Sequence, residues 1–599
     1  MANEPTYEFP LPKDSYAAFD AISLRNLIIQ RLNDQGILTD QNYIGSNLAS
    51  IIDIISYSFN TLIYYLNRTS TESTFTEAQL YENISRIVKL LDYKPIGYQT
   101  STLAFTCSAD NSFTNGIYTI PRYSYVMVGS IPFSFNEDIS FTIPFDFTSV
   151  ELSDISNKKL LYQGVFREAP VYIAAGDASE VVTVNVSNAS IDHFNLDVYV
   201  YETRQAKWIQ YKNVPNLYTE QSSSRSFEKR LNSNFLYEIT FGNGINGRQL
   251  EAGDQVAIYY LQSSEEQGVV GPGSLNNTTN TQVVFSTTNF NNILADVNEE
   301  QFEYISATQF KSIIFNNVVG STMPKNVENA DSIRKNAPSN FKSQYRLVTQ
   351  SDFETFIKTN FANFISDVRV FSNWDYTGKY LKYFNDINVS PAGFRQILLN
   401  QVLYADACNF NNIYICAIPQ VSQGSSLKYL LPAQKEIISS NIQPLKTLTT
   451  EVMFLDPIFK AVSFGVKTND GVTITDKDFC RCQIIKSSST RRSTRGIQQE
   501  IVTIFNSFFD PMNAKLGAIF DYSSLVNQIL AVDGVSKIRT IRTDTQETFD
   551  GLSFFMWNPT YPELDKQTVV NNTSMKEFEL LYFDSLSTID SKIDIVDQT

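Results

Sequence analysis

Residues 46–95 read SNLASIIDIISYSFNTLIYYLNRTSTESTFTEAQLYENISRIVKLLDYKP. At helical spacing Leu48, Ile52, Ile55, Phe59, Leu62 and Leu66 fall in alternating steps of four and three, an a/d seam over about three heptads. Ile51, Ile54, Tyr57 and Tyr65 lie off that seam, so the helix is apolar on more than one face. A surface helix of a single domain needs one apolar stripe; this one calls for neighbours on at least two sides. Thr74 and Glu77 have the spacing of a capping box for a second helix. In it Leu80, Ile84, Ile87 and Leu91 repeat the four-three-four step before Pro95-Ile96-Gly97 stops the run. Burying each large seam side chain stabilises by about 1.5–3 kcal/mol, so the seam outweighs any single polar contact nearby. Spacing alone fits an internal bundle as well as a partner-binding pair.

Upstream, residues 1–20 read as an extended arm with Pro5, Pro10 and Pro12. Ser23 is placed to cap a short helix carrying Leu24, Leu27, Ile28 and Leu32, ending before Gly36. After Pro95 the texture changes to short alternating strands broken by Asn, Gly, Pro and Ser, as far as about residue 290. From about 300 the pattern is mixed. A helix boxed by Ser351 and Glu354 carries Phe353, Ile357, Phe361 and Phe364 and precedes the strand Asp367–Phe371. Further strands are expected at Ile413–Ile418, Glu451–Leu455, Ala461–Val466 and Val535–Ile541, with helices at Gln434–Ile442, Ile497–Phe509 and Tyr522–Leu530. The helix–strand piece at 353–370 echoes the one at 522–541.

The expected fold is therefore α+β and multidomain. An N-terminal arm and helical bundle region (1–95) precedes a β-rich middle (96–300). Two small α+β domains (301–460 and 461–565) and an extended acidic tail (566–599) follow. In that tail residues 585–599 alternate Ile/Val with Asp, as a segment that is disordered or orders on a partner.

Composition narrows the function. Of 599 residues, 43% are hydrophobic, enough for real cores. Forty-seven basic against 63 acidic residues give a net charge of −16. That balance argues against a nucleic-acid or anionic-membrane surface spread over the whole molecule. Phe and Tyr number 43 and 32 while charged residues reach 18%, a bias shared by protein interfaces and by all-β folds. MANEPTYEFPLPKD has neither a basic n-region nor an apolar h-region, so no secretory signal is read there. IIDIISYSF is short and carries Asp53, so no transmembrane helix is expected. Five cysteines without tight pairing spacings suit a reducing cytoplasm.

Gly242-Asn243-Gly244-Ile245-Asn246-Gly247 matches the dinucleotide fingerprint letter for letter. The fingerprint also requires a helix to begin at its glycines. Here a second turn at Gly253-Asp254 and the strand Gln255–Leu261 follow instead, and Asn-Gly pairs form hairpin turns. A turn is expected, not a nucleotide site. Cys480 and Cys482 would share one face of a strand, but a closed zinc site needs four ligands and no second Cys pair or His cluster supplies them. His193 is the single histidine, which removes Ser-His-Asp, Cys-His and His-rich metal mechanisms unless His193 itself serves. Carboxylate-pair hydrolysis has no spacing signature to find. No catalytic residue, cofactor or metal is assigned, and no enzyme is expected. One basic cluster, residues 486–495, contains Arg491, Arg492 and Arg495; it reads as a solvated loop or as a dock for an acidic neighbouring subunit.

The run FDAISLRNLIIQRLN, together with residues 39–101 downstream of it, resembles the N-terminal region of the large baseplate wedge subunits of T-even-like contractile-tailed phages, members of the baseplate J-like superfamily. DSIRKNAPSNFKSQYRLVTQSDFETFI (331–357) resembles that superfamily's signature segment. GVSKIRTIRTD through GLSFFMWNPTYPELD (534–565) resembles the wedge subunits' C-terminus. The resemblance implies a structural virion protein assembled in the host cytoplasm. It implies that Leu48, Ile52, Ile55, Phe59, Leu62, Leu66, Leu80, Ile84, Ile87 and Leu91 bundle with a second copy and with another wedge subunit. It further implies contacts with sheath-initiating and hub-proximal tail proteins, wedges linked into a ring, and relay of the trigger for sheath contraction. Arg491, Arg492, Arg495, Phe554, Phe555 and Trp557 are the candidate docking residues elsewhere. Neither nucleic acid nor membrane is expected as a partner. The rival reading is a carbohydrate-binding or carbohydrate-cleaving tail spike or fibre protein.

Overall fold

The computed structural model describes residues 21–36, 46–110, 113–145, 149–184, 190–232, 234–276, 281–298, 302–344, 346–388, 412–420, 429–464, 466–469, 474–477, 480–542, 547–561, 564–584 and 586–597. The expected arm at 1–20 lies outside them. The chain divides into two compact units, residues 1–94 with 329–335, and residues 95–328 with 336–599.

The first unit is helical. Helix α1 (Ala21–Gln35) begins two residues before Ser23 and ends at Gly36, whose φ of +64° suits the left-handed residue that closes a helix. Helix α2 (Asn47–Glu72) is capped by Ser46, whose hydroxyl accepts the Ala49 N–H at 3.0 Å. Helix α1 packs against α2, and an Arg25–Asp53 ion pair joins them at the surface.

The expected capping box at Thr74 and Glu77 does not form. Helix α3 (Tyr81–Val88) starts later, at a Leu80 cap with no side-chain bond, and the Thr74 hydroxyl turns back to the Thr71 carbonyl. The orphan N–H groups are met from the preceding helix instead. The Glu72 carboxylate accepts the N–H of Gln79 and of Leu80 and the Asn83 carboxamide at 3.0–3.3 Å. The Asn83 bond and these backbone N–H groups hold the Glu72 carboxyl below its usual range. The α3 run gives way to a 3₁₀ turn at Lys89–Leu91 and stops at Asp92, φ +55°, before Pro95 is reached.

The second unit contains the β-rich domain and two α+β modules. Among the described residues, the β domain holds a five-stranded sheet in the order Thr102–Ala104, Leu160–Gln163, Ile131–Ser134, Tyr125–Val128, Thr281–Val283. Its larger sheet centres on the antiparallel pair Ser190–Glu202 and Gln255–Ser263. The register of that pair shifts between Ile191 and Leu196, a bulge that re-aims the side chains between them. Leu103, Phe105, Phe133, Phe135, Phe141 and Phe315 pack one core. Strand Ile313–Asn316 pairs with Thr106–Asp110, so the β domain continues past the expected boundary at 300.

The first α+β module has the sheet order Ile365–Ser372, Asn412–Pro419, Glu451–Leu455, with helices Gln350–Asn360 and Pro432–Ile442 supplying buried Phe353, Ile357, Ile438 and Ile442. The box that starts its first helix is Thr349 with Asp352, not Ser351 with Glu354. The second module has helices Thr494–Phe508 and Tyr522–Leu530 over two four-stranded sheets.

The expected tail is not a tail. Glu579–Phe583 runs parallel to Ile458–Ser463, and Ile593–Asp597 runs parallel to Cys480–Lys486. Val569, Phe583, Ile589 and Ile593 lie in the module's core. The boundaries at 460 and 565 therefore fall inside one folding unit. Over 593–595 the Ile–Asp–Ile alternation follows a strand period, with Ile593 turned inward, while Val596 and Asp597 at the strand's end are exposed.

Candidate assembly surfaces

The face that α1 covers on α2 is narrow. Ala49, Ile52 and Ser56 are the buried residues of that helix, spaced by three and four, and two of them are small enough for close helix approach. The remaining seam is left open: Ile55 is 41% exposed, Phe59 51%, Leu62 58% and Leu66 68%. Ile51, Ile54, Tyr57, Tyr64 and Tyr65 are exposed as well. Tyr64 was not singled out from the sequence, although it stands one heptad after Tyr57. Its hydroxyl receives Arg68 at 3.2 Å, a local i,i+4 contact.

Nine large apolar side chains on one helix in water form a continuous patch, unlike scattered surface hydrophobics. Two of the ten assigned partner residues sit elsewhere. Ile52 and Ile84 are buried within their own unit and have nothing to offer a partner. Leu48, Ile87 and Leu91 are half-buried, and Leu80 is exposed.

The three aromatic docking candidates near the C-terminus are also corrected. Phe554, Phe555 and Trp557 lie on a strand paired on both sides, by Ile458–Ser463 and by Lys566–Val569, and all are buried in the module's core. Sequence shows an aromatic cluster but not which side of the surface it occupies.

The basic cluster splits. Arg492 is held, its guanidinium donating to the Asp533 carbonyl at 3.1 Å and to Glu500 at 2.6 Å. Arg491 and Arg495 are exposed beside it. Ser493 caps the helix that follows through the Gly496 N–H at 3.1 Å, so part of the run is ordered by helix capping.

The glycine run at 242–247 is a turn, with no helix following it. Asn243 Oδ1 accepts the N–H of Ile245 and Asn246 at 3.0 and 2.8 Å, and Gly244 N–H donates to the Gly247 carbonyl at 3.1 Å. It does not close a two-strand hairpin: Tyr237–Phe241 pairs with its neighbours Ser226–Leu231 and Val181–Val184, whereas Gln255–Ser263 lies elsewhere in the sheet. A Cβ on Gly242 would come within 2.2 Å of Gly247 carbonyl carbon, and Gly244 has φ +81°. Gly242→Ala is expected to cost about 2–3 kcal/mol by forcing backbone apart, and Gly244→Val about 1–2 kcal/mol through strain at positive φ. Thermal melts of the two variants check this. Saturable NAD or ATP binding by the parent protein would overturn the turn reading.

His193 is buried. Its Nδ1 lies 3.1 Å from the Gly97 nitrogen, whose N–H it accepts, and 3.0 Å from the Tyr237 hydroxyl. Burial and the nearby Lys229 ammonium hold the imidazole well below its usual pKa, so it is neutral and fixed rather than poised for proton transfer. Burial likewise pushes the Cys107 thiol up to about 12 and raises those of Cys416 and Cys482, which makes them inert core residues. The Cys480 side chain lies outside what is described. Among the described residues no group of three or more His, Cys, Asp or Glu is arranged to hold a metal, and no helix is long and apolar enough to cross a membrane.

No protein family model matches the chain. Over 375 residues it is 22% identical to the baseplate wedge protein gp6 of Enterobacteria phage T4, a match covering 58% of this chain and 51% of that protein. The sequence match supports a baseplate-type structural protein. The chain spans about half the length of that curated relative. A chain in the six-fold symmetrised cryo-EM structure of the anti-feeding prophage baseplate aligns over 95% of this chain and 99% of its own, with 11% identity and a TM-score of 0.31.

Proposed function

We propose that this chain is a wedge subunit of a contractile-tail baseplate, with α2 as its principal assembly element. The observation that carries the proposal is the open α2 seam from Ile55 to Leu66, supported by the sequence match to a wedge protein. In this reading α2 bundles with a second copy of the chain and with another wedge subunit. The C-terminal modules link neighbouring wedges into a ring around the hub, and the ring relays the rearrangement that releases sheath contraction. The role is mechanical, with no catalytic step. Interfaces of such a device work when two arrangements lie close in free energy. The test is copy number and position: a cryo-EM map of the intact tail should place this chain in the baseplate in a multiple of six copies. Density for it only in a fibre or spike would end the proposal.

Exposed Arg491 and Arg495 are proposed to dock an acidic neighbouring subunit. Changing Arg491, Arg492 and Arg495 together to Glu should leave the chain folded but weaken ring assembly in a salt-sensitive way, the deficit relative to the parent narrowing as salt screens the introduced repulsion. The pair Arg491→Glu/Arg495→Glu, which keeps the Arg492–Glu500 contact, should act almost as strongly. Undiminished particle assembly with both variants would return the cluster to the status of a solvated surface.

A further inference from the structure

The second unit contains a cleft of about 410 Å³ between the β domain and the first α+β module. One wall is the bulge in strand Ser190–Glu202, where the Asp192 carboxylate accepts the N–H of Phe194 and of Asn195, each at 3.0 Å. That clamp sets Phe194, still 41% exposed, and Asn195 into the cleft. The opposite wall is formed near the C-terminal ends of the helices Gln350–Asn360 and Pro432–Ile442, which contribute Asn360 and Asn441, and by Asn363 in the turn after the first. The floor is a hydrogen-bonded chain. Asn363 Nδ2 donates to the Thr100 carbonyl at 3.0 Å, and Thr100 N–H donates to Asp192 at 2.6 Å.

Four of the six asparagines that line the cleft, Asn195, Asn360, Asn363 and Asn441, share one pattern. Each commits its NH₂ to the protein: Asn195 to Asp192 at 2.9 Å, Asn360 to the Phe356 carbonyl at 2.9 Å, Asn363 to Thr100 and Asn441 to the Ile437 carbonyl at 2.8 Å. A carboxamide fixed through its nitrogen has its oxygen fixed as an acceptor. No donor to any of these four Oδ1 atoms is found among the described residues, and that of Asn363, a residue 5% exposed, is buried without a partner. That enclosed oxygen is an internal cost of the wall, about 1–3 kcal/mol, whereas the oxygens of Asn195, Asn360 and Asn441 are left for an occupant to meet. The helix C-termini add partial negative charge to the same wall. The cleft therefore asks its occupant for hydrogen-bond donors. At the rim the exposed Lys158 ammonium supplies the opposite need, an acceptor. A hydroxyl group is both at once, and Phe194 offers an apolar surface for a ring's C–H face.

We infer that this cleft is a binding site for a neutral saccharide, of one or two sugar units, whose hydroxyls donate to the carboxamide oxygens of Asn195, Asn360 and Asn441. The site is independent of the α2 assembly surface, so either reading can fail alone. Saturation-transfer NMR with the full-length protein and D-glucose, D-galactose or N-acetyl-D-glucosamine tests it. At least one sugar should give a saturable signal, and Asn360→Ala/Asn441→Ala should weaken that sugar about tenfold or more. Both residues lie near helix ends, one half-buried and one exposed, so circular dichroism of the variant should match the parent. Phe194→Ala serves as a second variant with the same expectation. No saturable signal from any of the three sugars, or an undiminished signal in both variants, overturns the assignment.

Discussion

Replacing Ile55 and Phe59 together by Asp should leave the isolated protein folded and remove its capacity to assemble. Both side chains are already in water in the single chain, so the cost to its own fold should stay within about 1 kcal/mol, as for surface substitutions generally. In the assembled state each residue is proposed to bury an apolar side chain worth about 1.5–3 kcal/mol, and each introduced carboxylate must stay hydrated or take up a proton. A combined loss near 4 kcal/mol weakens association about a thousandfold. Sedimentation for self-association, and co-purification with co-expressed tail proteins, read the loss. Circular dichroism reads the fold. Ile52→Asp is the control with the opposite outcome, because Ile52 is buried against the helical unit itself: it should destabilise that unit by about 3 kcal/mol or more. A double variant that captures its partners normally would remove α2 from the assembly surface.

The second large effect is expected at Lys460. The residue is buried, 5% exposed, and its ammonium contacts Asp565 closely and Glu579 at 3.6 Å. The Tyr383 hydroxyl donates to the same Asp565 oxygen at 2.5 Å and accepts the Asn558 carboxamide at 2.8 Å. The Tyr383 ring lies between two cations, 5.1 Å from Lys460 Nζ and 4.6 Å from Lys576 Nζ. This polar knot fastens the segment around Tyr383 to strands Ile458–Ser463 and Glu579–Phe583, at the joint between the two α+β modules. Lys460→Ala leaves two carboxylates enclosed without their cation, for which the expected cost is about 3–5 kcal/mol. Calorimetry should show the transition of the C-terminal modules falling in temperature. The triple change Lys460→Met, Asp565→Asn, Glu579→Gln should recover more than half of the loss, since an enclosed ion pair is seldom better than a neutral replacement. If the triple variant is no better than Lys460→Ala, packing rather than charge holds the joint.

Much of the local structure was legible in the sequence. Helix Tyr522–Leu530 and strand Glu451–Leu455 match their expected ends, because apolar period and turn residues agree there. The echo between residues 353–370 and 522–541 is visible in the fold. In each case a helix precedes a strand that runs antiparallel to a central strand, and that central strand has a parallel neighbour on its other side. The caps were misplaced where Ser, Thr and acidic residues recur. Thr349–Asp352 and Ser351–Glu354 have the same spacing, and only the backbone decides between them. At α3 the cap comes from Glu72, across a turn that local spacing does not describe.

Two failures have a common cause. An aromatic run such as Phe554–Trp557 carries the same composition at an interface and in a core. The segment 593–597 reads as unattached in sequence because its partner, Cys480–Lys486, is remote in the chain. The asparagine cleft was invisible for the same reason, since its four carboxamides come from three separate elements and a connecting turn. The open α2 seam was readable as apolar, but which of its residues α1 covers was not.

The pairing of the C-terminal strands also dictates an order of events during synthesis. Ile458–Ser463 leaves the ribosome before either of its sheet neighbours, Phe554–Trp557 and Glu579–Phe583, has been made. Cys480–Lys486 likewise waits for Val535–Arg542 on one side and Ile593–Asp597 on the other. Through that interval the nascent chain carries strands with both hydrogen-bonding edges open, the arrangement most prone to pair with the wrong chain. Closure comes only when residue 597 has emerged. Products of early termination between residues 486 and 579 are therefore aggregation hazards rather than short working subunits.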